Sequence, residues 1–163
     1  MANQNSDVDK DLNMAKQLGR RGAARFAAVQ ALYQLEMGGA STLEPTLMEF
    51  ITHRSRNSAE GLVLGQFDTA LMEHVVRGVV ENFEDIDAML QGVLAEGWSM
   101  ERQDKVLRSV LRAGTFELGW DEETPGPVIV NEYVNIAKSF FEGPERKFVN
   151  GTLDALNKAL RPE

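Results

Sequence analysis

Residues 129–141 read IVNEYVNIAKSFF, residues 142–145 EGPE and residues 146–154 RKFVNGTLD. In the first string Val130, Val134, Ala137 and Phe140 or Phe141 return every three to four positions, the period of one helix face and not the alternation of a strand. Pro127 can open this helix because first-turn amides have no helical partner to lose, and Gly143-Pro144 stops it. The next helix offers Phe148 or Val149, Leu153, Leu156 and Leu160 to an interior, with Pro162 marking its end. Two helices joined by so tight a turn predict antiparallel neighbours.

The same period runs outward through the chain. A helix from about Gly19 to Met37 carries Phe26, Val29, Tyr33, Leu32 and Leu35 on its apolar side and ends at Gly38-Gly39. A second, from about Leu43 to His53, turns Leu47, Phe50 and Ile51 inward, and Ser55 to Gln66 reads as a loop. From Phe67 to Asn82 the stripe is Leu71, Val75, Val76, Val79 and Val80. A short helix with Ile86, Met89, Leu90, Val93 and Leu94 follows around Phe83. Ser99 reads as the N-cap of a helix reaching Gly119, with Val106, Leu107, Val110, Leu111 and Phe116 inward and Trp98 packed beneath its start. The fold class is therefore all-α, a compact bundle of seven helices. Residues 1–17 are polar and read as a flexible tail, leaving 18–163 as one helical domain.

At 163 residues and 43% apolar content the chain can close a core on its own. Without cysteine, neither a disulfide framework nor a thiolate metal site can form. The first residues lack the basic-then-apolar order of a secretory signal, and no stretch approaches the roughly 18 apolar residues of a membrane span. A cytoplasmic protein with no membrane partner is expected. Catalysis is not. The only histidines, His53 and His74, fall in no metal-ligand spacing, and no GxGxxG, phosphate loop or GxSxG elbow occurs. No cofactor is expected. Glu84-Asp85-Asp87 reads as helix-start charge and Asp121-Glu122-Glu123 as a solvated loop.

The net charge of −8 argues against broad electrostatic binding of nucleic acid, since phosphate affinity needs local positive charge. Yet four cations and no acid lie between Lys16 and Leu35. Arg21 and Arg25 stand four apart on one helix face, with Arg20 to the side. Arginines at a helix start oppose the macrodipole, and a bound phosphate would remove that conflict. A plain solvated basic face is the competing reading. Lys147, Phe148 and Asn150 make a second cluster, a cation, a ring that could stack on a base and an amide that could reach a base edge. Core packing of Phe148 and local backbone bonding by Asn150 compete with that role. Tyr33 and Phe116 fall on apolar stripes and are assigned to the core. Arg108 and Arg112, again four apart, either extend a basic strip or pair with Glu101 and Asp104.

RRGAARFAAVQALYQ (Arg20 to Gln34), GWSMERQDKVLRSVLRAGTFEL (Gly97 to Leu118) and PVIVNEYVNIAKSFFEGPERKFVNGTLDAL (Pro127 to Leu156) together resemble the bacterial NusB family of transcription antitermination factors, in the family's order. The resemblance implies two three-helix lobes with an extra helix. It also implies a non-enzymatic role: binding the boxA segment of ribosomal-RNA leader transcripts together with NusE, a ribosomal small-subunit protein, and loading with other Nus factors onto the RNA polymerase elongation complex. By motif position, Arg20, Arg21 and Arg25 correspond to the arginine-rich RNA-binding start, and Lys147 and Phe148 to a second RNA-contacting element. Arg112 matches the arginine before the family's Tyr-Glu-Leu, here Phe116-Glu117-Leu118. Gly143-Pro144-Glu145 replaces an Asp-Ser turn common in the family, and Gly22 stands where some members add an arginine. An accessory RNA-recognition domain, like that fused to ribosomal-RNA cytosine methyltransferases, and a protein-protein scaffold are the alternatives. Whether a homodimer covers the basic surface is left open by the sequence.

Overall fold

The computed structural model describes the backbone of residues 2–38, 42–61 and 68–162, and the side chains of 19–38, 42–52 and 68–162. Among the described residues there is no strand. The described residues hold seven α-helices: α1 (Ala2–Gly38), α2 (Leu43–Gly61), α3 (Thr69–Glu81), α4 (Phe83–Val93), α5 (Lys105–Trp120), α6 (Gly126–Phe140) and α7 (Glu145–Leu160), with a 3-10 turn at Met100–Arg102. They form two compact units, Met1–Glu73 and His74–Glu163, with α3 crossing the boundary.

In the first unit α1 is broken at Gly19, whose φ of 73° and ψ of −173° suit glycine and strain any other residue. Helical backbone reaches back to Ala2 where a polar tail was expected. No glycine or proline precedes Gly19 to prevent it, and the side chains of 1–18 lie outside the described residues. Beyond the break, Ala23, Ala24, Ala27, Ala28 and Ala31 are buried with Phe26, Val29, Leu32 and Leu35. These small side chains let α2 pack closely, which in turn buries Leu47 and Phe50. Tyr33 is not core: it is 37% exposed, on the flank of the stripe. α2 continues past the expected end at His53 to Gly61, the first residue after Pro45 that disfavours a helix. Residues 62–66 of the expected loop, and Phe67 of the next expected helix, lie outside the described residues. Asp68 begins α3 as a cap, its Oδ1 accepting from the Leu71 amide at 3.0 Å, while its own amide donates to the Arg20 carbonyl at 3.1 Å.

In the second unit α5 is the central helix, and every residue from Ser109 to Leu118 is buried beneath α4, α6 and α7. Asp104, not Ser99, caps it. Its Oδ1 accepts from the amides of Val106 (2.8 Å) and Leu107 (3.3 Å), whereas Ser99 precedes the 3-10 turn and makes no cap bond. An aspartate can meet two amides where Ser99 meets none. α6 buries Ile129, Val130, Tyr133, Ile136 and Ala137, a face rotated from the expected one, so Val134 is half-buried and Phe140 exposed. The cause is Tyr133, whose hydroxyl donates to the buried Glu117 carboxyl at 2.5 Å. A tyrosine enters a core when its hydroxyl finds a partner there. α7 buries Val149, Leu153 and Leu156, all among the expected positions, together with Thr152, which was not expected, and Leu160 is only half-buried.

Close approach is built in at Gly78 on α3. A Cβ there would fall 2.0 Å from Cζ of Phe116, a ring that also stacks on Trp120 (5.4 Å) and meets His74 edge-on (5.2 Å). Just beyond that contact, Arg161 donates to the carbonyls of Glu117 (3.2 Å), Leu118 (3.0 Å), Asp121 and Thr124 (2.6 Å), tying the C-terminal end of α5 and the loop after it to the end of α7.

Candidate nucleic-acid interface

The Gly19 break places Arg20 and Arg21 where helical backbone resumes, and both are exposed. The Asp68 amide on the Arg20 carbonyl fixes that turn to the start of α3. Arg25 departs from the expectation. It is only 3% exposed, within a run from Gly22 to Val29 that is buried throughout, so it shares no solvated face with Arg21. Reversing its charge would place an anion inside the fold and test stability, which makes Arg20 and Arg21 the positions that report on a ligand.

The second cluster is assembled by the α6–α7 helix pair. The outer face of α6, with Pro127, Val130, Asn131, Val134 and Lys138, meets Arg146, Lys147, Asn150 and Asp154 of α7 around an open cleft of about 460 Å³. The sequence spacing explains the convergence: 127, 131, 134 and 138 share one helix face, as do 147, 150 and 154. Three cations line the cleft against one acid, and Asp154 is drawn to Lys158 at 3.1 Å. The cleft is therefore positive in an acidic protein. Arg146 also anchors it, donating from Nε to the Phe141 carbonyl at 2.6 Å and from Nη2 to the Lys138 carbonyl at 3.4 Å. These bonds cap the end of α6 and hold the turn between the two helices. Lys147 and Asn150 are exposed. Phe148 lies outside the cleft lining, half-buried, with its ring stacked on Trp98 at 5.0 Å and 27°.

Arg112 is structural in its contacts. It forms a two-pronged ion pair with Asp87, Nε to Oδ1 and Nη2 to Oδ2 both at 2.9 Å, and its guanidinium lies 4.3 Å from the Phe83 ring centre. Neither of the two expectations, a basic strip or pairing with Glu101 and Asp104, included this link from α5 to α4, in which a planar guanidinium matches a carboxylate fork and an aromatic face at once. Arg108 instead donates to the carbonyls of Met100 (3.3 Å) and Glu101 (3.0 Å). Asp87→Ala, which leaves Arg112 without its two-pronged acceptor, is expected to lower stability by about 2 kcal/mol in urea unfolding, while Asp85→Ala on the exposed side of α4 changes little.

Among the described residues no three histidine or acidic side chains are grouped to hold a metal ion, and no helix is long and apolar enough to cross a membrane. Comparison with known proteins gives the lineage. A model of the NusB family matches residues 22–158. The chain belongs to the NusB family. Two relatives named transcription antitermination protein NusB illustrate the match. That of Caulobacter vibrioides is 48% identical over 141 residues, covering 86% of this chain and 94% of the relative. That of Sinorhizobium fredii is 45% identical over 148 residues, covering 91% and 92%. A solved structure of T. maritima NusB superposes with a TM-score of 0.66 at 29% identity over 88% of this chain and 94% of that one. NusB proteins are transcription factors and not enzymes.

Four residues of this NusB surface are not singled out by the sequence alone. Lys138 and Asn131 lie within the family-like string and carry no assigned role there, although their spacing from Val134 puts them on one face. Arg146 was passed over beside Lys147, and nothing local reveals that it closes the end of the preceding helix. Trp98 was assigned to packing, yet it is 47% exposed.

Proposed function

We propose that this NusB-family protein is a cytoplasmic transcription antitermination factor. It binds the boxA segment of ribosomal-RNA transcripts together with NusE and joins RNA polymerase elongation complexes with other Nus factors. The observation that carries the RNA role is the cleft of Lys138, Arg146 and Lys147 in a chain of net charge −8, where positive charge is scarce and is concentrated beside exposed amide side chains. Exposed Arg20 and Arg21 supply a second source of phosphate contacts. Lys147 contacts the backbone, Asn150 a base edge, and Phe148 a base face. Arg25 is buried and Arg112 is committed to its ion pair with Asp87, so neither is given an RNA contact in this reading. The names of the curated relatives support the antitermination role.

Fluorescence anisotropy of a labelled boxA-type RNA, titrated with this protein alone and with NusE across a salt series, tests the reading. Salt-sensitive binding strengthened by NusE is expected, because neutralised phosphates release counterions and a partner adds surface. No binding in either mixture, with the protein folded by circular dichroism, would overturn the RNA role in favour of a protein-protein scaffold.

A further inference from the structure

An indole that is 47% exposed usually sits on a loop free to bury it, and Trp98 does not. Gly97, at φ 88°, turns the chain sharply before it, and the Trp98 amide donates to the Ala95 carbonyl at 3.0 Å. On its other side the Gln91 side chain donates to the Trp98 carbonyl at 2.8 Å, the Gln103 side chain to the Ser99 carbonyl at 3.2 Å, and Arg108 to the two carbonyls that follow. Met100, not Trp98, fills the core beneath the loop. The loop is thus held by α4 and α5 with its largest apolar side chain facing out. One flank of that indole is covered by the Phe148 ring, in a stacked contact at 5.0 Å. Lys147, exposed, stands next to Phe148 in the first turn of α7.

We propose that Trp98 is a base-stacking residue for single-stranded RNA, forming with Phe148 a two-ring platform beside the Lys147 cleft. The proposal rests on the RNA reading above and adds a contact to it. A nucleobase is the fitting occupant because every base has a face to lay on an indole, and stacking rings beside a cationic track are what single-stranded nucleic acid recognises. A pre-held ring loses little freedom on binding, so more of the stacking energy appears as affinity. The charges set direction. Exposed Glu96 and Glu101 flank the loop and repel phosphates there, so the RNA backbone follows Lys147 on α7 and the base reaches across Phe148 toward Trp98.

The test uses Trp120→Phe as the background, leaving Trp98 as the sole tryptophan. In that background, a boxA-type RNA quenches the remaining tryptophan emission. Trp98→Ala weakens RNA binding about tenfold without changing the salt slope, since stacking releases no phosphate counterions, and Trp98→Phe keeps most of the affinity. An abasic nucleotide walked along the RNA finds one position where base removal and Trp98→Ala cost no more together than either alone. Unquenched emission with unchanged affinity in Trp98→Ala, while the RNA still binds with its usual salt dependence, would overturn the platform and leave the RNA reading intact. So would a loss seen only in binding to the protein partner without RNA. Absence of RNA binding by the unmodified protein, alone or with that partner, would overturn both. Should Trp98→Ala fail to fold, the quenching decides: Trp98 emission unchanged by saturating RNA in the Trp120→Phe background overturns the platform.

Discussion

Replacing Gly78 with alanine is expected to destabilise the second unit by about 3 kcal/mol, even though alanine is the better helix former by roughly 1 kcal/mol. The new methyl would lie 2.0 Å from Phe116 Cζ and 2.2 Å from Cε2, far inside any contact distance, so the ring would have to move. It has nowhere to go. Phe116 is 2% exposed, with Trp120 stacked along it and His74 against its edge. The strain passes to α5, the helix on which the unit is built. Gly92→Ala in α4 provides the opposing control, because its Cβ would meet nothing within 4 Å. There the same substitution should be neutral or stabilise by up to about 1 kcal/mol. Pairing Gly78→Ala with Phe116→Leu should restore part of the loss, and urea unfolding of the two singles and the double checks the coupling. Equal stability of Gly78→Ala and the parent would show that the two helices are not in contact as described.

Reversing Arg20 and Arg21 together to glutamate is expected to weaken boxA-type RNA binding by about 100-fold at moderate salt, because each position changes from attracting a phosphate to repelling one. The slope of log affinity against log salt should fall by roughly 1.4, the share of two phosphate contacts on a single strand. Both side chains are exposed and the turn is held through the backbone carbonyl of Arg20, so the fold should tolerate the change. A single reversal at Arg21 should give an intermediate loss. Unchanged affinity and slope in the double variant would remove the first helix from the RNA surface. A changed affinity with an unchanged slope would assign the arginines to something other than phosphate.

Helix number, type and most of the second unit's core were legible because helical period and glycine-proline punctuation act locally. Val149, Leu153 and Leu156 were read correctly since α7 has one apolar face and one plausible interior. α6 was misjudged because it carries apolar residues on more than one face. The choice between them was made by Glu117, a carboxyl 16 residues earlier in the chain that draws Tyr133 inward. The same holds for the arginines. Arg112 and Arg20 look alike in one dimension, and only the folded position of Asp87, 25 residues away, commits Arg112 to an ion pair. Arg25 was misread because helix spacing gives the face a residue shares, not whether that face is covered. Trp98 was missed for the opposite reason: a large apolar side chain is presumed buried, and its exposure depends on bonds from Gln91 and Gln103 that no periodicity signals.

The last turn of a helix normally frays by itself, exchanging its amide hydrogens with water at little cost. Arg161 changes that for α7. Its guanidinium is committed to carbonyls 37 to 44 residues back in the chain, on the end of α5 and in the loop after it. Opening the end of α7 therefore uncovers the end of α5 and the loop from Asp121 to Thr124 as well. The three segments are therefore expected to open together, so that the hydrogen-bonded amides at their ends exchange with a common protection rather than one by one.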